Sequence, residues 1–226
     1  MTAKRFADRA RQLLEPSRDA AAAHTMARYM KDRFPFLGLP RPAYQALAKP
    51  LVAELKPHAS QPLLLEIAGR LWKLPEREYQ YLAGDVLDRY RKQLTPAALP
   101  ALRALLEQKS WWDSVDQLTG RVLGPLVLAQ PELRLEVDRW SQDANFWVRR
   151  AAILHQLAYR EHTDTGRLFG YCERNAKDPE FFIRKAIGWA LRQHAKHDPE
   201  AVRGFVAAHP ELSPLSRREA LKHVGA

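Results

Sequence analysis

One cysteine, Cys172, stands in a chain of 226 residues. No internal disulfide and no multi-cysteine zinc site is open to such a chain, and a lone thiol suits a reducing cytosol. The expected location is therefore cytoplasmic. Glycine is scarce, at ten residues, and neither Asn-Gly nor Asp-Gly occurs. With few alternating β-branched runs, the signals for hairpins and strands are nearly missing. No apolar run reaches the length of a membrane span, and the opening residues lack an apolar signal-peptide centre, so no membrane partner is expected. A Gly-rich phosphate loop and a nucleophile elbow are also absent. Acid is in deficit: 26 Asp and Glu face 36 Lys and Arg, a formal charge of +10. That imbalance favours a polyanionic partner, nucleic acid before a membrane surface, although a generic basic protein has the same composition.

What the chain has in quantity is helix punctuation. Pro75-Glu76, Pro131-Glu132, Asp178-Pro179-Glu180, Asp198-Pro199-Glu200 and Pro210-Glu211 read as helix starts. Proline fits a first turn, where its missing N–H has no partner to lose; Asp before it caps the helix, and Glu after it suits the positive helix end. Ser110-Trp111-Trp112-Asp113 reads as a capping box.

Aromatic pairs recur at a fixed interval. Trp111-Trp112, Phe146-Trp147 and Phe181-Phe182 follow one another by 35 residues. Around them DANFWVRRAAIL (143–154) aligns with DPEFFIRKAIGW (178–189), matching Asp143 with Asp178 and Arg149 with Arg184. A helical repeat of this period predicts an all-α solenoid of roughly five or six stacked helix pairs with a concave basic face, in one domain spanning residues 1–226. On this alignment the position four after each second aromatic reads Asp116, Ala151, Ala186. A charge where the repeat places alanine costs desolvation unless something pairs or uses it.

The same register gathers Trp112, Asp116, Arg150, Lys185, Trp189 and Arg192 on equivalent helix faces. Lys185, Trp189, Arg192 and Lys196, spaced four, three and four, form one basic stripe with an indole in it. Such cations suit duplex phosphates, and indole faces attract positive charge. A carboxylate among them repels phosphate, so its use is to stabilise a transient cation, such as the sugar cation of glycosyl cleavage, or to orient water. The plainer readings stay open: core tryptophans, an Asp116–Arg150 ion pair, a solvated charged face. His194 and His197 lack an obvious third ligand for zinc, and Cys172 reads as buried filler. Tyr29 and Phe36 suit either packing or DNA contact.

These residues resemble a known family, the AlkD-type DNA alkylation-repair glycosylases built from HEAT-like repeats. The resemblance runs through MARYMKDRFPFLGL (26–39), LWKLPEREYQ (71–80), KSWWDSVD (109–116), FWVRRAAILHQL (146–157), EFFIRKAIGWALR (180–192) and LSRREALKH (215–223). It implies hydrolysis of the N-glycosidic bond of N3- and N7-alkylpurines in duplex DNA, without a base-flipping pocket, by a monomer with no cofactor. The implied catalytic acid is Asp116, the implied indoles are Trp112 and Trp189, and the implied phosphate-gripping cation is Arg150. Lys185, Arg192, Lys196, Arg218, Lys222, Arg41 and Tyr29 are the expected DNA contacts. After Phe36-Leu37-Gly38 the family often has Gln-Thr-Pro, whereas this chain has Leu39-Pro40-Arg41-Pro42, exchanging an amide for a cation. Two rival functions remain at this level: a non-catalytic DNA-binding or lesion-sensing solenoid, and a protein-interaction scaffold.

Overall fold

The computed structural model describes residues 1–222 and residue 224. Among these the regular structure is all helical: α1 (Ala3–Leu14), α2 (Ala20–Tyr29), α3 (Arg41–Ala53), α4 (Gln61–Lys73), α5 (Arg77–Arg89), α6 (Leu99–Glu107), α7 (Trp112–Leu118), α8 (Gly124–Ala129), α9 (Arg134–Trp140), α10 (Phe146–Leu154), α11 (Thr165–Arg174), α12 (Phe181–His194), α13 (Pro199–Ala208) and α14 (Pro214–Ala220). No helix among them is long and apolar enough to cross a membrane. The backbone divides into two compact units, Met1–Ala101 and Leu102–Ala226.

In the N-terminal unit α1 packs its Ala3, Phe6, Ala10 and Leu14 face against α3 and α4. The segment entering α3 is stitched by one buried acid. Glu78, 1% exposed, accepts backbone N–H bonds from Leu37 and Gly38 at 2.9 Å and from Leu39 at 3.1 Å. Gly38 has φ +87°, and a Cβ there would lie 2.0 Å from the Asp19 carbonyl oxygen. Only glycine takes this turn at so close a backbone approach. The stitched turn fixes where Arg41 begins α3.

In the C-terminal unit the repeat is real, but its register differs by one from the aromatic alignment. Each N-cap carbonyl accepts from the N–H four residues on, Trp111 from Val115 in α7, Asn145 from Arg149 in α10 and Glu180 from Arg184 in α12. Helix starts therefore equate Trp112 with Phe146 and Phe181, and Asp116 with Arg150 and Lys185. The ring contacts agree. Buried Trp111 and Trp147 and half-buried Phe182 form one ring cluster, with centroids 5.8, 5.0 and 4.8 Å apart. Trp111 fills the core place that the second aromatic fills in the other two repeats, which releases Trp112 to the next face.

Asp143 and Asp178 repeat a common lock. Each accepts the N–H two residues on, from Asn145 and Glu180 at 2.8 Å, and an arginine from the preceding repeat, Arg103 or Arg149, at 2.7 Å. Asp178 is thus a turn and inter-repeat partner rather than the helix cap expected, and Glu180 caps α12 instead. Asp198 does cap α13 as expected, accepting from the Ala201 N–H at 3.0 Å. The Ser110 capping box does not form. Its hydroxyl donates to the Leu106 carbonyl at 2.6 Å, and Trp111 takes the N-cap position. Pro210-Glu211 is no helix start either; α14 begins at Pro214, with the Ser213 hydroxyl accepting from Ser216.

Candidate functional site

Asp116 rides on a helix with a deliberate irregularity. α7 passes into a π-turn at Thr119–Leu123 and then α8, so the Gly124 N–H reaches back to the Thr119 carbonyl. Pro125 has no N–H to give the carbonyl four residues earlier, and the wider turn relieves its ring. Gly124 lets this helix pass the end of α10: a Cβ there would lie 2.3 Å from the His155 carbonyl oxygen. Close passage brings the fifth residues of α7 and α10 face to face.

There Arg150 grips Asp116 with two parallel bonds. Nε donates to Oδ1 and Nη2 to Oδ2, each at 2.8 Å, and Nη1 donates to the Phe182 carbonyl at 2.5 Å. The Arg150 side chain is 4% exposed and that of Asp116 16%. The cation is the enclosed partner and the acid is the one that reaches the surface. Arg150 is the residue expected to grip phosphate. Its donors instead orient a carboxylate. Burial raises the Asp116 carboxyl above the ordinary aspartate range, Arg150 opposes that with its bonds and charge, and Asp113 adds a smaller push upward. Each carboxylate oxygen retains acceptor capacity beyond the arginine bonds.

Trp112 starts α7 one turn before Asp116, on the same face, and is half-buried. Trp189 is half-buried on α12, one turn after Lys185, the residue equivalent to Asp116. The row of fifth positions thus runs acid, cation, cation.

The expected basic stripe is present but not bare. Lys185 Nζ donates to Glu219 Oε1 at 2.8 Å and Arg192 Nη1 to Glu219 Oε2 at 2.5 Å. Lys196 lies just past the end of α12 and is exposed, as are Arg218 on α14 and Lys222 beyond it. Arg41 and Tyr29 belong to the N-terminal unit. Arg41 is exposed, Tyr29 is 69% exposed, and Phe36 is core at 4%. Glu219 was missed by sequence reading. Its signal was present, since it lies 34 residues after Lys185, the interval that also separates Asp116 from Arg150.

Outside this face, His194 turns its Nε2 to the Thr165 hydroxyl at 3.1 Å, while His197 is exposed. The cavity that His194 and His197 line with Ile153, Gln156 and Leu168 is about 10 Å³, room for one water, and neither Asp116 nor Arg150 nor Glu219 lines it. Cys172 is fully buried, which raises its thiol pKa far above that of a reactive cysteine.

A family model described as DNA alkylation repair enzyme matches residues 10–224. The solved structure of a predicted DNA alkylation repair enzyme from Enterococcus faecalis superposes with a TM-score of 0.85 at 34% identity, covering 91% of this chain and 96% of that one. A solved structure from Streptococcus mutans shares the fold, with a TM-score of 0.64 at 14% identity over 90% of this chain and 100% of that one. No functionally curated protein matches the chain.

Proposed function

The chain belongs to the DNA alkylation repair enzyme family, and from that premise we propose that it is a glycosylase excising cationic N3- and N7-alkylpurines from duplex DNA. The observation that carries this reading is the Asp116 carboxylate, aligned by a buried guanidinium yet open to the face that Trp112 shares.

An alkylated purine of this kind already carries positive charge. Its C1′–N bond breaks with the electron pair going to the base, so the base leaves neutral and no strong general acid is needed. The charge appears on the sugar as an oxocarbenium ion. Asp116 stabilises that cation and holds the water whose oxygen bonds to C1′ and whose proton passes to solvent. Trp112 and Trp189 offer indole faces to the same charge. Arg150 keeps the carboxylate ionised against its burial and fixes its plane. Phosphates of the duplex fall to Lys185, Arg192, Lys196, Arg218 and Lys222, with Arg41 and Tyr29 as contacts from the N-terminal unit. The protein acts as a monomer with no cofactor, against DNA in the bacterial cytoplasm.

Asp116→Asn tests the reading. It keeps the shape and removes the charge. Release of 7-methylguanine from methylated duplex is expected to fall at least about 100-fold, the loss typical of one electrostatic group, while duplex affinity changes little. Full base release by a folded Asn variant would reduce the Asp116–Arg150 pair to a structural ion pair and favour lesion binding without cleavage.

A further inference from the structure

Five cations assigned above to phosphate lie on α12, on α14 or just beyond them, and one carboxylate sits among them. Glu219 takes Lys185 on one oxygen and Arg192 on the other, and its charge also feels Lys222. Two charged donors spread over two oxygens is the bonding pattern that a phosphate's unesterified oxygens satisfy.

The acid is the fixed member of this cluster. Its side chain is 14% exposed, against 41% for Lys185 and 23% for Arg192. α14 is seated tightly on α12: a Cβ on Gly188 would come within 2.5 Å of the Glu219 Cβ and 3.1 Å of the Ser216 carbonyl oxygen. Ser216, fully buried, donates from its hydroxyl to the Arg184 carbonyl at 2.9 Å. The two cations arrive at Glu219 on long stems from either side of Trp189, four residues before it and three after. Such stems swing to a new anion without moving the helix.

We propose that Glu219 is an internal stand-in for a DNA phosphate: it holds Lys185 and Arg192 apart around Trp189 in the DNA-free protein, cancels one charge of the face, and so weakens binding to undamaged duplex. Both cations pass to the backbone when the lesion's sugar settles against the indole. The inference rests on the reading that this face binds DNA. A repair enzyme meets a vast excess of intact sequence, and a face with all five cations free would hold it there.

The test measures undamaged-duplex affinity across a salt series for Glu219→Gln and Glu219→Ala beside the unsubstituted protein, with thermal melts to establish folding. Loss of the stand-in is expected to tighten binding several-fold at low salt. It is also expected to steepen the log affinity against log salt slope by about 0.9, the increment for one added phosphate contact. The preference for methylated over intact duplex narrows accordingly. A purely structural ion pair would lower the melting temperature and leave the slope alone. Cooperative folding with unchanged slope, or with weaker binding, in either variant overturns the proposal. Release of 7-methylguanine by the unsubstituted protein is scored separately: its absence sinks the glycosylase reading, while the salt slopes still decide the role of Glu219.

Discussion

At the scale of single residues, the pairing of Asp116 with Arg150 sets both chemistry and cost. Burial favours the protonated acid and Arg150 favours the ionised one, with burial ahead. Base release that needs the carboxylate should therefore fail on acidification at a pH above the free aspartate range. Arg150→Gln removes the opposing influence, so the acid limb of kcat should move to still higher pH, read from single-turnover rates between pH 5 and 8. An acid raised by folding binds more protons folded than unfolded, so its own contribution to stability rises as pH falls through the raised folded-state pKa toward the free aspartate value. Arg150→Gln should also lower stability by about 3–5 kcal/mol, because a buried charge loses its partner. A denaturant titration measures that. A limb that stays in place after the substitution would show that another group governs the profile.

At the scale of elements, Glu78 on α5 organises a segment of backbone far larger than itself. Glu78→Ala leaves three N–H groups at Leu37, Gly38 and Leu39 without their acceptor. Unmade buried bonds cost about 1–3 kcal/mol each, so a loss of at least about 3 kcal/mol is expected in thermal or denaturant unfolding. A loss under about 1 kcal/mol would mean that the segment is held by other means. The helices were legible in the sequence because helix punctuation and apolar periodicity are local. Their repeat was legible because aromatic doublets mark it. Its register was not: one residue fewer separates the starts of α7 and α10 than separates α10 and α12, and only packing shows that Trp111, not Trp112, joins the ring cluster. The candidate acid was found for a different reason than the one that places it. Asp116 does not replace an alanine; it stands in a row with Arg150 and Lys185 and answers the first of them across the gap. The caps at Ser110 and Asp178 were misread because each side chain had a competing partner, the end of the preceding helix or an arginine of the previous repeat. Those partners are close in space and distant in sequence.

At the scale of the whole molecule, the proposed chemistry and the excess charge fall in different units. Residues 1–101 hold 17 Lys and Arg against 10 Asp and Glu, and the remainder holds 19 against 16, so most of the +10 lies in the N-terminal unit. Long-range attraction to a polyanion should accordingly draw heavily on residues that do no bond breaking. Arg41 is the sharpest example, an exposed cation where the resembled family often carries an uncharged stretch. Arg41→Gln should weaken intact and methylated duplex about equally. It should make the salt slope shallower by about 0.9 and leave single-turnover release at saturation unchanged. Fluorescence anisotropy across a salt series, paired with a saturating excision assay, separates the two effects. A drop in the release rate itself would move Arg41 from attraction into chemistry.

Cys172 has a practical consequence of its own. Its sulfur is sealed inside the C-terminal unit and kept in the unreactive thiol form, so the native protein should resist maleimides and spin labels as though it had no cysteine. A single new thiol at Phe181, 56% exposed at the head of α12, would then be the one site to label. The rate at which it is masked by added duplex would report, in real time, whether that helix face is where the nucleic acid lands.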